Sequence, residues 1–205
     1  MSRVVAPRRH SAQGEVRIVG GLWKRSKLQV PDVEGLRPTS DRVRETLFNW
    51  LGQDLAGLRC VDAFAGTGAL GLEAASRGAA EVCCIEANLA LVQGLRRNAE
   101  RLGASQLRVE AGDAVQRMAM LPAGVWDVVF LDPPFSQAQG SAAGQGLFEQ
   151  VLAQAVRLLA PQGMVYLEAP KAWNAEGLHP LGLEVWRQGK AGAVHYHLLQ
   201  QAAAS

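Results

Sequence analysis

The sequence predicts an α/β protein in which a mostly parallel sheet is covered by helices on both faces. From residue 58 onward, short apolar runs alternate with segments of helical periodicity, a pattern typical of successive strand–helix–strand units. Two final apolar segments, Leu183–Arg187 and Ala193–Leu199, are joined by a short Gly-containing link and predict a closing antiparallel hairpin. The main sheet is therefore expected to have seven strands, most of them parallel.

The alternating region defines the predicted elements. Its strands are Leu58–Phe64, Glu81–Ile85, Gln106–Glu110, Trp126–Leu131 and Met164–Glu168. Its helices are Ala69–Arg77, Leu89–Leu102, Ala114–Leu121 and Leu147–Leu159. The stretch Gly140–Gly146 is rich in small and polar residues and is expected to form a flexible loop.

A smaller region precedes this domain. Residues 1–14 have little apolar periodicity and are expected to form a flexible basic arm, followed by a hairpin of Val16–Val19 and Lys27–Val30. A helix is predicted from Asp41, with Thr39 or Ser40 as its N-cap. Its apolar face comprises Val43, Leu47, Trp50 and Leu51, and Arg42, Arg44 and Asn49 are expected to lie off that face. The predicted divisions are residues 1–14, an extension of hairpin and helix at 15–52, and the main domain at 53–205.

Charge is distributed unevenly along the 205 residues. Residues 1–30 carry seven basic side chains and one acidic one, although the formal net charge of the whole chain is only +2. A basic amino-terminal region on a slightly acidic body favours a polyanionic partner such as nucleic acid. Trp23, Lys24 and Arg25, between the hairpin strands, are candidate RNA contacts, although Trp23 equally suits packing on the body.

Composition limits where the protein acts. The three cysteines lie in apolar runs without metal-ligand spacing and are expected to be core residues in a reducing compartment. Since neither a secretory signal nor a bilayer-length apolar run is present, we expect a cytoplasmic protein without a membrane partner. His195 and His197 alternate on one strand, but no third ligand is evident, so no metal is expected and a structural role is favoured. A monomer is the default expectation.

A strand followed by Asp132-Pro133-Pro134-Phe135 is an unusual combination. The prolines stiffen the turn, while the Asp132 carboxylate and the Pro133 carbonyl provide hydrogen-bond acceptors. Phe135 provides a flat face on which an unstacked base could lie. Two acceptors beside an aromatic ring would suit an exocyclic amino group on a planar base, which makes Asp132, Pro133 and Phe135 the candidate catalytic residues.

A glycine-rich turn follows the first strand of the main domain. Gly66, Gly68 and Gly71 have G-x-G-x-x-G spacing, and Glu86 lies 20 residues beyond Gly66, a spacing that suits hydrogen bonds to ribose hydroxyls. Asp62, before the glycines, would repel a pyrophosphate but attract an ammonium or sulfonium cation. Asp113 adds an acceptor suited to an adenine amino group. These acids favour S-adenosylmethionine over NAD.

The combination of Ala65-Gly66-Thr67-Gly68, Glu86, Gly112-Asp113 and Asp132-Pro133-Pro134-Phe135 resembles class I (Rossmann-like) S-adenosylmethionine-dependent methyltransferases that act on amino groups. More narrowly, the segment from Leu36 to Leu51, with its Arg-Pro-Thr-Ser-Asp-Arg-Val-Arg-Glu stretch, is similar to the RsmD-type 16S ribosomal RNA guanine-N2 methyltransferases. The resemblance covers residues 16 to 200 approximately.

That resemblance implies one methylated guanine in 16S rRNA of the small ribosomal subunit, or of an assembly intermediate. It also implies S-adenosylmethionine contacts from Asp62, Phe64, Gly66, Gly68, Glu86 and Asp113. Arg37 and Arg42 are candidates for contacting a phosphate, as in RNA, or a carboxylate. A methyltransferase acting on DNA adenine or a protein glutamine would use a similar turn, usually with Asn in place of Asp132. An NAD-dependent oxidoreductase would leave the Asp-Pro-Pro-Phe turn unexplained.

Overall fold

The computed structural model describes residues 16–31, 33, 39–134 and 142–203. The predicted arm at residues 1–14 lies outside these ranges, and so do two predicted site residues, Arg37 and Phe135. Within the described ranges, no helix is long and apolar enough to cross a membrane.

The described chain contains nine strands and six α-helices. The strands are β1 (Val16–Arg17), β2 (Lys27–Leu28), β3 (Arg59–Asp62), β4 (Glu81–Glu86), β5 (Leu107–Ala111), β6 (Trp126–Leu131), β7 (Leu159–Ala169), β8 (Leu183–Ala191) and β9 (Val194–Gln201). The helices are α1 (Asp41–Trp50), α2 (Ala69–Ser76), α3 (Leu89–Leu102), α4 (Ala114–Met120), α5 (Ala142–Leu158) and α6 (Ala175–Leu178).

Seven of these strands form the main sheet, in the order β5-β4-β3-β6-β7-β9-β8. The strands from β5 to β7 pair in parallel, whereas β9 pairs antiparallel with both β7 and β8. Two apolar clusters form the core, one including Leu72 of α2 and Leu95 of α3, the other including Met118 of α4 and Val151 of α5. The predicted mostly parallel sheet with a closing hairpin is confirmed.

The amino-terminal hairpin packs along the side of the main domain. β1 and β2 are antiparallel, as predicted, with Val16 opposite Leu28. Farther along the chain, the backbone N–H and carbonyl of Gln29 bond to the Asn98 side chain of α3, at 3.0 and 2.9 Å respectively. The hairpin thus leads into a segment that follows α3 toward its amino-terminal end.

Helix α1 confirms the predicted cap but corrects the prediction for Arg44. The Ser40 hydroxyl accepts a hydrogen bond from the Val43 N–H at 3.4 Å, so Ser40 is the N-cap. Arg44, expected to lie off the apolar face, is fully buried and forms ion pairs with Asp41 and Glu73. Periodicity alone misplaced this arginine because its partner, Glu73, belongs to another helix.

Two other predictions about the carboxyl-terminal half were wrong or incomplete. The expected loop at Gly140–Gly146 is helical from Ala142 onward, since α5 spans Ala142–Leu158. Its first turns lack the large apolar residues by which helical periodicity is recognised, although Ala and Gln favour helix. The short helix α6 was not predicted.

Candidate active site

Four acidic side chains lie at the carboxyl edge of the parallel strands. Asp62 ends β3 and Glu86 ends β4. Asp132 directly follows β6, and Glu168 is the penultimate residue of β7. The residues that directly precede Asp132 and Glu168 are paired with each other, so these two carboxyls belong to neighbouring strand ends. The strand order reverses between β3 and β6, and ligands of open α/β sheets bind at such a point.

The glycine-rich turn connects β3 to α2 at this edge. The Gly66 N–H donates a 2.8 Å hydrogen bond to Glu86 Oε2, which joins the turn to the end of the next strand. Gly68 is the N-cap of α2 with a φ of 79°, and a Cβ there would lie 2.0 Å from Leu95 Cδ1. A side chain at position 68 would be strained by the positive φ and would require the Leu95 side chain to move.

Asp62 is buried at the base of this turn. Its Oδ2 accepts a 2.9 Å hydrogen bond from the Gly71 N–H, in the first turn of α2. Burial raises the pKa of Asp62 to about 7, the Gly71 hydrogen bond opposes that rise, and the nearby Glu86 charge adds to it. A cation bound beside this carboxyl would favour its ionised form.

The other predicted cofactor residues lie around the same edge. Glu86 is half-buried, and its Oε1 accepts a 2.7 Å bond from the Asn88 N–H. Asp113 is exposed and caps α4, accepting from the Gln116 N–H at 3.0 Å. Phe64 is half-buried and packs against the core cluster that contains α4 and α5. Each of the two acids retains lone pairs for a ligand, because a carboxylate offers about four acceptor positions.

Asp132 and Pro133 form the turn that leaves β6. Asp132 is half-buried and Pro133 is buried. Desolvation by the surrounding protein raises the pKa of Asp132 well above its usual range, and the charges of Glu168 and Asp62 act in the same direction. The protonation state of Asp132 therefore depends on the charges of Glu168 and Asp62.

A buried hydrogen-bonded group beside Asp132 was not predicted from the sequence. The Thr39 hydroxyl donates a 2.8 Å hydrogen bond to Glu168 Oε1, and the Tyr166 hydroxyl donates to the same oxygen at 2.8 Å. Glu168 was assigned only as the end of a predicted strand, and Thr39 only as a possible helix cap. The sequence did contain one signal for Glu168 as a site residue. It ends a predicted strand, and the predicted site residues Asp62 and Glu86 also lie at strand ends.

The candidate RNA contacts are divided between two regions. Arg42 is exposed in the first turn of α1, three residues after Thr39, and so lies near the strand-end acids. Trp23 is half-buried against the core, and its N–H bonds to Ser76 Oγ at 2.9 Å. Because Ser76 ends α2 and the active-site turn begins it, the exposed Lys24 and Arg25 lie at the opposite edge of the sheet, about 10 Å or more away.

His197 has structural contacts, as the sequence suggested. It is buried, and its Nε2 accepts a 3.2 Å hydrogen bond from the Trp173 N–H in the chain after β7. In the described part of the chain, no group of three or more His, Cys, Asp or Glu side chains could hold a metal ion.

Comparison with known proteins gives consistent matches over nearly the whole chain. A family model described as Conserved hypothetical protein 95 matches residues 16–200. The chain is 41% identical over 196 residues to the ribosomal RNA small subunit methyltransferase D of Escherichia coli strain K12, covering 95% of this chain and 94% of that relative. It is 37% identical over 205 residues to the protein of the same name from Haemophilus influenzae, covering 98% and 100%. A solved structure named "Putative methyltransferase yhhF from Escherichia coli" superposes with a TM-score of 0.76 at 36% identity, covering 93% of this chain and 100% of that one.

The seven-stranded sheet with its antiparallel end, together with the glycine-rich turn and strand-end acids, defines a class I methyltransferase. The matches over nearly the full length of the chain identify one family within this class. The chain belongs to the ribosomal RNA small subunit methyltransferase D family, which confirms the resemblance of its sequence.

Proposed function

We propose that this protein transfers a methyl group from S-adenosylmethionine to the exocyclic N2 of one guanine in 16S rRNA of the small ribosomal subunit. The observation that carries the proposal is the Asp132-Pro133 turn at the end of β6, beside the acids of β3 and β4, in a chain of this family. Relatives named ribosomal RNA small subunit methyltransferase D support the choice of RNA.

The residues around the glycine-rich turn fit S-adenosylmethionine. Asp62 is a buried carboxyl that forms none of the ion pairs found in the described part of the chain, and burial raises its pKa to about 7. When bound, the cofactor supplies a methyl group on a positively charged sulfur. Asp62 would face the cationic amino-acid part, Glu86 would accept from ribose hydroxyls, and Asp113 would accept from the adenine amino group. The same side of the cofactor site would be lined by Phe64, Gly66 and Gly68.

Asp132 and Pro133 would orient the target amine. A guanine amino group is a poor nucleophile because its lone pair is delocalised into the ring. Hydrogen bonds from its two hydrogens to the Asp132 carboxylate and the Pro133 carbonyl would hold the nitrogen in line with the methyl group. Phe135 would stack on the base, as aromatic side chains do on bases taken out of a helix.

Basic residues outside the pocket would hold the RNA backbone. Arg37 and Arg42 flank Thr39 in the chain and would contact phosphates near the flipped base. Trp23, Lys24 and Arg25 would meet a more distant part of the RNA, because the hairpin turn lies at the other edge of the sheet. In this proposal, residues 15–52 are an RNA-facing extension of the methyltransferase domain at 53–205.

An Asp132→Ala variant separates orientation of the amine from cofactor binding. We expect methyl transfer to small subunits to fall by 100-fold or more, on the order of what a positioned acid–base group contributes, with the Kd for S-adenosylmethionine unchanged. Asp54→Ala is the matched control, since Asp54 is exposed and its carboxylate accepts a hydrogen bond from the Ala56 N–H in a turn at the far edge. Equal loss of transfer and cofactor binding in Asp132→Ala would contradict the assigned role.

A further inference from the structure

The hydroxyl of Thr39 connects the segment before α1 to the end of β7. It donates to Glu168 Oε1 at 2.8 Å across 129 residues of sequence, and both side chains are buried, at 9% and 5% exposure. The same hydroxyl lies near the Asp132 carboxyl on the neighbouring strand end, where it favours the ionised form and opposes the rise in the pKa of Asp132. The Thr39 hydroxyl is therefore close to two carboxyl groups, of which only Asp132 has a role in the transfer described above.

The sheet holds these two carboxyls side by side. β6 and β7 are parallel neighbours, and their pairing continues to Leu131 and Leu167, directly before Asp132 and Glu168. Glu168 is fixed further by the Tyr166 hydroxyl and by the pairing of its backbone position with Tyr196 of β9. Glu168 thus has a rigid setting, whereas Asp132 is the more exposed member of the pair.

We propose that Glu168 and Thr39 are positioning residues for Asp132, and that the two carboxyls, joined by the Thr39 hydroxyl, act as one unit that receives the proton lost by the target amine. This inference rests on the proposed transfer to an amino group. It adds a second carboxyl to the site and gives the Thr-Ser-Asp segment before α1 a role in the chemistry.

The charges around the pair favour a shared proton. Asp132 faces Glu168 from β7 and Asp62 from β3, while Glu168 faces the hydroxyls of Thr39 and Tyr166. Burial and these like charges raise the pKa of Asp132, and burial raises that of Glu168, whereas the hydroxyl bonds oppose the rise. Two neighbouring desolvated carboxyls do not both ionise readily, so in this proposal the pair shares one proton before the amine binds.

The Thr39 hydroxyl lets that proton lie on either acid. With the proton on Glu168, Asp132 is an ionised acceptor for the amine. The amine nitrogen forms its bond to the methyl carbon while the carbon–sulfur bond breaks and sulfur keeps the electron pair. An N–H bond of the resulting cation then breaks, its electrons stay on nitrogen, and its proton passes to Asp132 Oδ. The pair, now carrying two protons, releases one to water.

The first test follows the titration of Asp132 in the free enzyme, by carbon NMR of protein labelled at the aspartate carboxyl carbon. Glu168→Gln removes a negative charge and is expected to lower the pKa of Asp132. Thr39→Val removes a hydrogen bond that favours the ionised form and is expected to raise it. Thr46→Val is the matched control, because Thr46 bonds only the Arg42 carbonyl in α1 and should leave the titration unchanged. Shifts of the same sign in both variants, or none, would overturn the proposal.

The second test compares kcat with KM for methyl transfer. Thr39→Val is expected to lower kcat by on the order of 100-fold with little change in KM or cofactor affinity, while Thr39→Ser, which keeps the hydroxyl, stays near the parent rate. Glu168→Gln is expected to shift the acidic limb of the kcat–pH profile to lower pH. An unshifted limb, or a Thr39→Ser enzyme as slow as Thr39→Val, would contradict the proposal. If the parent protein methylates no guanine, the proposed function fails, while the NMR titration still decides whether the pair is coupled.

Discussion

Asp62 is a carboxyl in an environment that disfavours its charge. It is 2% exposed, and the hydrogen bond from the Gly71 N–H only partly offsets desolvation and the Glu86 charge. The residue could be recognised in the sequence because it ends an apolar run and precedes closely spaced glycines. Its raised pKa could not be predicted from the sequence, because desolvation depends on side chains that the fold brings together from β4 and α2.

Replacing Asp62 by Asn is expected to stabilise the protein and weaken cofactor binding. The folded-state pKa of about 7 lies above the ordinary aspartate value of 3.8, so the folded state binds more protons than the unfolded state between these values. Stability is therefore lost as the pH rises through this window, and Asn removes that loss. We expect Asp62→Asn to raise the free energy of unfolding by about 2 kcal/mol at pH 8, and by less at pH 5.

Urea denaturation at the two pH values measures this difference, and calorimetry measures the Kd for S-adenosylmethionine. Asp127→Asn is a control on the neighbouring strand, since the Asp127 carboxylate accepts from the Arg59 N–H outside the cofactor turn. A gain in stability that does not depend on pH, or tighter cofactor binding by Asp62→Asn, would contradict this account of the residue.

At the scale of elements, Arg44 joins three parts of the chain. Its guanidinium bonds Asp41 in α1 at 2.6 Å, the Arg17 carbonyl of β1 at 2.6 Å and Glu73 of α2 at 3.4 Å. Glu73 in turn accepts from the Val19 N–H and from Arg77. This buried network attaches the amino-terminal extension to the methyltransferase domain.

Arg44→Met is expected to destabilise the protein by about 3 kcal/mol, because it leaves the buried Glu73 with one basic partner fewer and the Arg17 carbonyl without this donor. Arg42→Met makes the same change two residues earlier, on the exposed side of α1, and is expected to change stability by less than about 0.5 kcal/mol. Thermal and urea unfolding of both variants provide the comparison. Similar small losses in both would show that the buried network does not stabilise the extension.

Local patterns predicted most elements but not the contacts between them. The glycine-rich turn, the Ser40 cap and the β8–β9 hairpin follow from short-range rules, and the structure confirms them. The burial of Arg44 and the bond from Thr39 to Glu168 depend on partners 29 and 129 residues away, which no periodicity indicates. The start of α5 was missed for a different reason, since its first turns have no apolar stripe.

At the scale of the whole molecule, the strand-end acids are separated from the cations of the hairpin turn. Asp62, Glu86, Asp132 and Glu168 lie at the carboxyl edge of the sheet, whereas Lys24 and Arg25 are exposed beside Ser76 at the other edge. Repulsion between the strand-end acids and RNA phosphates would be confined to the pocket. The hairpin turn can therefore contribute affinity without taking part in the chemistry.

Replacing both Lys24 and Arg25 by Ala is expected to weaken binding to small subunits and to reduce the slope of log K against log salt by about 1 to 2, since two phosphate contacts are lost. The kcat at saturating subunit concentration should not change. Arg96→Ala with Arg97→Ala removes the same charge from the exposed surface of α3 and serves as the control. Equal weakening by both double variants would mean that net charge, rather than the hairpin turn, sets the affinity.

The most direct test of the central claim is methyl transfer from labelled S-adenosylmethionine to small subunits and to naked 16S rRNA, both prepared from cells lacking this protein. The modified nucleoside is then identified by mass spectrometry. We expect N2-methylguanosine, and comparison of the two substrates shows whether ribosomal proteins contribute to recognition. N6-methyladenosine, or no transfer by protein that still binds the cofactor, would contradict the assignment of guanine N2 as the acceptor.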